Sequence, residues 1–416
     1  MEKVYVTANF DEGFNKLNEA QKIAVETTEG PVMVIAGPGT GKTQILSYRI
    51  GTILLRNLVE AKNILCLTYT DSGVTAMRKR LTSLIGPLSY EVGIFTFHAF
   101  CHRIISDNPE YFHLYGDHSV ADDLDIIECL EELLSSLPPD NRLFSYKENF
   151  AQTTKNLKKL FSDIKREHWS PKDMITNIQE RILDLKNDPN FIYKRKSGNN
   201  QKGDIKVEAL EKEKVNLLKT IEAIKLFEKY QKALNNKNLY DYDDLILWVI
   251  DKFSSDDEFL GIYQEKYQYI LVDEYQDTNG SQNELLNLLC SYWEQPNIFV
   301  VGDDDQAIYR FQGANLENML SFKNKYNPEV ILLTNNYRSS QFILDLAGHS
   351  IKSNLDRLIN EIPNLSKDLL SSGENKNVAT LPKIVEYSDN YSEFIDVINQ
   401  IENLTFSKKV NFKEIA

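Results

Sequence analysis

The stretch AGPGTGKT, residues 36–43, follows the apolar run PVMVIAG and opens TQILSYRIGTILLRN, a segment with helical spacing. A strand that passes through a glycine-rich turn into a helix points backbone N–H groups and the positive end of the helix dipole at one place, which makes an anion cradle. Gly37, Gly39 and Gly41 keep the turn open, with Thr40 among them. In such a cradle Lys42 reaches the β- and γ-phosphates of a nucleotide and Thr43 holds Mg²⁺. The first glycine of the usual spacing is Ala36 here, so the strict pattern fails by one residue.

A phosphate cradle of this kind needs a sheet behind it. Five further apolar runs supply one: NILCLTYT (63–70), VGIFTFH (92–98), YILVDE (269–274), NIFVVGD (297–303) and VILLTNN (330–336). Most lack strict alternation, as strands covered on both faces of a parallel sheet do. Helical patterns such as SQNELLNLLCSYW lie between several of them, so the chain predicts an α/β fold with a mainly parallel sheet. The alternation breaks between about 103 and 240, where Leu, Lys and Glu recur at helical spacing and PPD (138–140) and SGNNQKG (197–203) interrupt. The organisation expected is a discontinuous first domain (1–102 and 237–336), a helical insertion (103–236) and the start of a second domain (337–416). In that last part KIVEYSDNYSEFIDVINQIENL reads as a strand followed by a helix.

Composition narrows the partners. The formal net charge of -14 argues against a protein that coats nucleic acid by bulk electrostatics, so any nucleic-acid site has to be local. The basic stretch KRKSGNNQKGDIK (194–206) reads as a solvated loop. No apolar stretch approaches the roughly 20 residues needed to span a bilayer, and the N-terminus lacks the features of a secretory signal, so no membrane partner and a cytoplasmic location are expected. Cys66, Cys101, Cys129 and Cys290 are scattered singly, without zinc or disulfide spacing, and read as reduced structural thiols.

The segment YILVDEYQD places Asp273 and Glu274 at the end of a buried strand, where open α/β sheets hold their sites. Asp273 suits a second Mg²⁺ ligand, and Glu274 the general base that orients or deprotonates water. Alone, an Asp-Glu pair at a strand end is a cap or a surface pair. Beside a phosphate cradle it reads as chemistry.

Taken in order, LNEAQ (17–21), AGPGTGKT, LTYTDSGVTAMRKRL (67–81), FTFHAFCHRII (95–105), YDYDDLI (240–246), LVDEYQDTNGSQ (271–282), VGDDDQAIYRFQGAN (301–315) and LTNNYRSS (333–340) resemble the UvrD/Rep/PcrA-like DNA helicases of superfamily 1. The resemblance covers about residues 17–346 and implies a RecA-like P-loop NTPase domain followed by the beginning of a second one. It implies ATP and Mg²⁺ as cofactors, single-stranded DNA and single-strand/duplex junctions as partners, and ATP-driven 3′–5′ translocation in repair, replication or recombination.

It also implies roles for individual residues. Gln306 senses the γ-phosphate, Arg338 bonds it, Gln21 reads the adenine edge, Tyr337 stacks on the base, and Arg49 approaches the nucleotide. Asp303 lies near the metal shell. Thr68, Tyr69, Thr70, Thr96, Phe97 and His98 contact the single strand, and Tyr309 and Phe311 stack on its bases, a grip that tolerates any sequence.

The chain departs from the family pattern at Gln312, where an arginine is common, and at Asp71 and Ser72, where an Asn-Lys pair is common. The two late family motifs that carry a second γ-phosphate arginine are not among these residues, so a truncated chain is expected. Other classes stay open: a P-loop small-molecule kinase, a DNA-binding or regulatory module with an incomplete ATP site, or the motor part of a helicase–nuclease.

Overall fold

The computed structural model of the chain describes residues 8–112, 118–144, 150–196, 200–307, 316–354, 357–362, 366–379 and 381–415. Strands β1 (Val32–Ala36), β2 (Ile64–Thr68), β3 (Gly93–Thr96), β4 (Tyr269–Val272), β5 (Ile298–Gly302) and β6 (Glu329–Leu333) form one sheet in the order β3-β2-β4-β5-β1-β6. Each pairing within it is parallel. Parallel strands share one carboxyl edge, so the segments that follow β1, β2, β3, β4, β5 and β6 emerge side by side although they are up to three hundred positions apart.

Alternate residues of β1 feed two different cores. Val32, Val34 and Ala36 pack with Ile45, Ile50 and Ile53 of the helix Lys42–Leu55, whereas Met33 and Ile35 pack with Val249, Phe253 and Leu285. Burial on both faces is the reason these strands read as unbroken apolar runs.

The helices Asp123–Ser135, Phe150–Arg166 and Val207–Asn236 build a third core around Cys129, Leu130, Phe161, Ile224 and Tyr230. Where the chain enters and leaves this helical cluster, Ser119–Val120 pairs in parallel with Leu239–Tyr240. Lys165, whose side chain is wholly buried, staples the cluster to the helix Tyr242–Ser255 through Asp241 Oδ2 at 2.6 Å and Asp244 Oδ1 at 2.7 Å. Burial pushes the Asp241 carboxyl up to about 6 against the pull of Lys165. The four cysteines are free and buried, and burial pushes their thiols up, away from the reactive thiolate.

The tail departs from expectation at one element. The helix Asn390–Glu402 forms, but 381–387 joins no sheet, and Ile384 is 91% exposed. An apolar run becomes a strand only when another strand meets its backbone, and none lies beside this one among the described residues. No helix among the described residues is long and apolar enough to cross a membrane.

Candidate active site

The turn after β1 is built to face a ligand with its backbone. Gly39 and Gly41 adopt φ of +68° and +92°. A Cβ on Gly39 would come within 2.7 Å of the Arg338 Cβ, and one on Gly41 within 3.0 Å of Gln21 Nε2. Thr40 closes the turn by donating its hydroxyl to Gly37 O at 2.7 Å. Gln21 supports it from outside: Nε2 donates to Thr40 O at 2.9 Å, and Oε1 accepts from Asn18 N at 3.1 Å in the capping box of Glu19–Glu26. Gly41 then starts the helix Lys42–Leu55 without a side-chain cap, which leaves the helix N–H groups to another acceptor.

Lys42 and Glu274 meet across this cradle, with Nζ 2.7 Å from Oε2. The contact is close but not aligned as a hydrogen bond, so the buried ammonium is charge-paired while its donors lack an acceptor among the described residues. A buried cation with unmet donors above open glycine backbone fits a polyphosphate.

Glu274 itself sits at φ +48°, ψ +47°, the left-handed region that is uncommon for a side-chain-bearing residue. The neighbours hold it there: Asp273 Oδ1 accepts from Glu274 N at 3.0 Å, and Asp277 N donates to Glu274 O at 2.9 Å. Asp273 is buried, and burial, reinforced by Glu274 and opposed by Lys42, pushes its carboxyl up to about 7. A carboxylate so desolvated has a strong electrostatic reason to take a cation.

After β5, Gln306 Nε2 donates to Asp303 Oδ2 at 2.7 Å. The aspartates beside it are neutralised from a distant part of the chain. Lys367 Nζ lies 2.6 Å from Asp303 Oδ1, 2.6 Å from Asp304 Oδ1 and 2.8 Å from Asp305 Oδ2. Arg357 grips Asp305 in bidentate fashion, both bonds at 2.7 Å. Sequence reasoning missed both cations, since 357 and 367 carry no local pattern that ties them to 303–305.

After β6, Asn336 donates to Pro38 O and accepts from Arg338 N and Ser339 N, while Tyr337 N donates to Gly39 O at 2.9 Å. This docks Tyr337 and Arg338 against the glycine turn. The Tyr337 hydroxyl accepts from Asn18 Nδ2 at 2.9 Å, which ties it to the capping residue of the helix that carries Gln21. Asn336 is a further residue not singled out beforehand, although the quoted motif contains it.

Arg49 is not brought to this site. It is 1% exposed, donates to Ala24 O, Thr27 O and Thr28 O, and lies 4.3 Å over the Phe299 ring. Seven residues beyond Lys42 along a helix, it stands about 10 Å deeper than the cradle.

The residues expected at single-stranded DNA divide. Thr68 is buried and donates to Thr70 O at 3.1 Å. Thr70 and Thr96 spend their hydroxyls as helix caps, accepting from Gly73 N and Ala99 N. Phe97, 2% exposed, is a core residue. Tyr69 is partly exposed and, with Phe97, His98, Arg166, Asp243, Asp277, Asn279 and Gln282, lines a cavity of about 240 Å³. There His98 Nε2 is 4.0 Å from Asp243 Oδ1, which Ser162 and Arg166 also hold, and burial keeps the imidazole below its usual range and uncharged at neutral pH. Arg166, from the helical cluster, was not foreseen. Tyr309 and Phe311 lie outside the described residues.

A parallel sheet with a glycine cradle, a buried lysine and an Asp-Glu pair at its carboxyl edge defines an α/β P-loop domain of the RecA-like class. The model of the UvrD/REP helicase N-terminal domain matches residues 17–327, and the chain belongs to that family. It is 32% identical to the ATP-dependent DNA helicase PcrA of Bacillus subtilis (strain 168) over 342 residues, covering 82% of this chain and 40% of that protein. It is likewise 32% identical to the ATP-dependent DNA helicase PcrA of Staphylococcus aureus (strain Mu50 / ATCC 700699) over 345 residues, 82% of this chain and 41% of that protein. The chain thus spans about 40% of the length of the curated relatives it matches.

Proposed function

We propose that this chain is the ATP-binding motor portion of a DNA helicase that translocates 3′–5′ on single-stranded DNA. The observation that carries the reading is the Lys42–Glu274 contact, which joins a phosphate cradle to a carboxylate in a strained backbone position. Residues 1–102 with 237–336 form the first motor domain, 103–236 its helical insertion, and 337–416 the start of the second.

Lys42 and the helix N-terminus hold the phosphates, and Tyr337 with Gln21 frames the base. Thr43 and Asp273 would hold Mg²⁺, which when bound neutralises phosphate oxygens and polarises the bond to be broken. Glu274 accepts the proton of the attacking water. Gln306, released from Asp303, reports the γ-phosphate, and Arg338 supplies positive charge to it. Single-stranded DNA crosses the same sheet edge at Tyr69 and His98, with junctions of single strand and duplex as the natural substrate. A soluble cytoplasmic location follows from this role.

Titration of a fluorescent ATP analogue with Mg²⁺, displaced by unlabelled ATP, tests the nucleotide part of the reading. Lys42→Ala is expected to weaken binding by roughly tenfold or more, the scale of a charge-assisted hydrogen bond. Equal affinity in the two proteins would contradict it.

A further inference from the structure

The motif that supplies Asp273 and Glu274 contains a side chain with no part in the reaction as described. Gln276 is 2% exposed and is fully engaged at both ends of its amide. Its Nε2 donates to Glu274 Oε2 at 2.9 Å, and its Oε1 accepts from Asp303 N at 2.9 Å. Glu274 Oε2 is the same oxygen that faces Lys42. One amide therefore connects the carboxylate at the end of β4 to the first residue of the turn after β5.

The seat for this amide is shaped for it. A Cβ at Gly302 would come within 2.6 Å of Gln276 Oε1 and 3.1 Å of Gln276 N, so the glycine and the glutamine are matched. The chemistry also requires an amide. A glutamate at 276 would keep an acceptor for Asp303 N but would set a second carboxylate against Glu274, and an apolar residue would leave the buried Asp303 N–H unmet.

We propose that Gln276 is a positioning residue for the hydrolytic carboxylate, and that it ties the orientation of Glu274 to the 303–306 turn on which Gln306 sits. The inference rests on the reading of Glu274 as the base. A movement of the turn when Gln306 meets a γ-phosphate is passed to Glu274 through two hydrogen bonds, so water activation and phosphate sensing are set together.

The test is a double-mutant cycle on the chain with Gln276→Glu, Glu274→Gln and the pair, reading single-turnover ATP hydrolysis with single-stranded DNA present, Mg·ATP affinity and thermal melting. Gln276→Glu is expected to lower the hydrolysis rate by about tenfold to a hundredfold, the scale of a misplaced catalytic group, with Mg·ATP affinity changed by less than about threefold. In the Glu274→Gln background it should lower the rate no further, because its effect runs through Glu274.

Multiplicative losses in the pair, or an unchanged rate in Gln276→Glu, would overturn the proposal while leaving the base assignment standing. Normal hydrolysis by Glu274→Gln alone would instead overturn the base assignment. If the Glu variant fails to melt cooperatively, Gln276→Asn takes its place: it keeps the amide but is one methylene too short to span both partners, and the same rate-specific loss is expected. A melt-competent Asn variant with an unchanged rate would overturn the proposal equally.

Discussion

Lys42 Nζ and Glu274 Oε2 lie 2.7 Å apart, so the cation that would bind phosphate and the carboxylate that would activate water occupy each other. Glu274 is more than a third exposed, which keeps the pair weak enough to exchange for a phosphate. On the proposed function, a phosphate that takes the lysine would release the carboxylate to water, tying base availability to a filled cradle.

Glu274→Gln removes the competing charge without disturbing the cradle. The variant is expected to bind Mg·ATP at least as tightly as the parent and to hydrolyse it roughly 10² to 10⁴ times more slowly, the contribution of a positioned acid–base group. Equilibrium titration and single-turnover hydrolysis on the same preparation check both halves. Weaker binding would mean that Glu274 supports the cradle rather than competing for Lys42.

Lys367 is buried among Asp303, Asp304 and Asp305. Burial alone would lower its pKa, but Asp303 and Asp304 outweigh that and raise it. Lys367→Met leaves carboxylates uncompensated and should cost about 3 to 5 kcal/mol at pH 7, the scale of a broken buried pair.

The pH dependence gives the sign. Burial pushes the Asp305 carboxyl up, and the Arg357 and Lys367 hydrogen bonds more than reverse it, so it sits below its usual range. A depressed carboxyl contributes stability that is present above its unfolded pKa and lost as pH falls through the folded one. The gap between parent and Lys367→Met should therefore narrow as pH drops below about 4, from the unfolded carboxylate range down through the lower folded one. Denaturant melts at two pH values measure this, and an equal gap at both would remove the electrostatic explanation.

Arg49→Met is expected to destabilise the fold, since Ala24, Thr27 and Thr28 would lose the donors that meet their carbonyls. Burial lowers the guanidinium to about 9, which marks how little water reaches it. The loss should be about 3 kcal/mol, while Mg·ATP affinity of the folded protein stays within about twofold. A large affinity loss with unchanged stability would return Arg49 to the nucleotide.

Tyr69→Ala should weaken binding of single-stranded oligonucleotides by about fivefold to a hundredfold on every sequence, the worth of one stacked base. Thr68→Val, altering a buried hydroxyl turned to Thr70 O, should leave affinity alone. Fluorescence anisotropy on pyrimidine- and purine-rich strands reads both. A sequence-dependent loss at Tyr69 would point to base-edge recognition instead of stacking.

The parallel sheet was legible because burial on both faces leaves an unbroken apolar signature in β1, β2 and β5. The cradle was legible because its glycines, lysine and threonine are contiguous and mean something only between a strand and a helix. Lys367 and Arg357 were not, since each acts on an acidic turn more than fifty positions away and the local sequence around them has no periodicity. Thr70, Thr96 and Phe97 show a different limit: the motif fixes their place at the sheet edge but does not announce that two of the side chains also cap helices and the third packs in the core. The strand expected at the start of KIVEYSDNYSEFIDVINQIENL did not form because pairing is a property of two segments, and no second strand lies beside it among the described residues.

ATP hydrolysis by the chain measured with and without single-stranded DNA, in parallel with Lys42→Ala, tests the motor reading most directly. DNA is expected to stimulate hydrolysis, and the Lys42→Ala protein to show no stimulated turnover. Nucleotide binding with a hydrolysis rate indifferent to single-stranded DNA would contradict it.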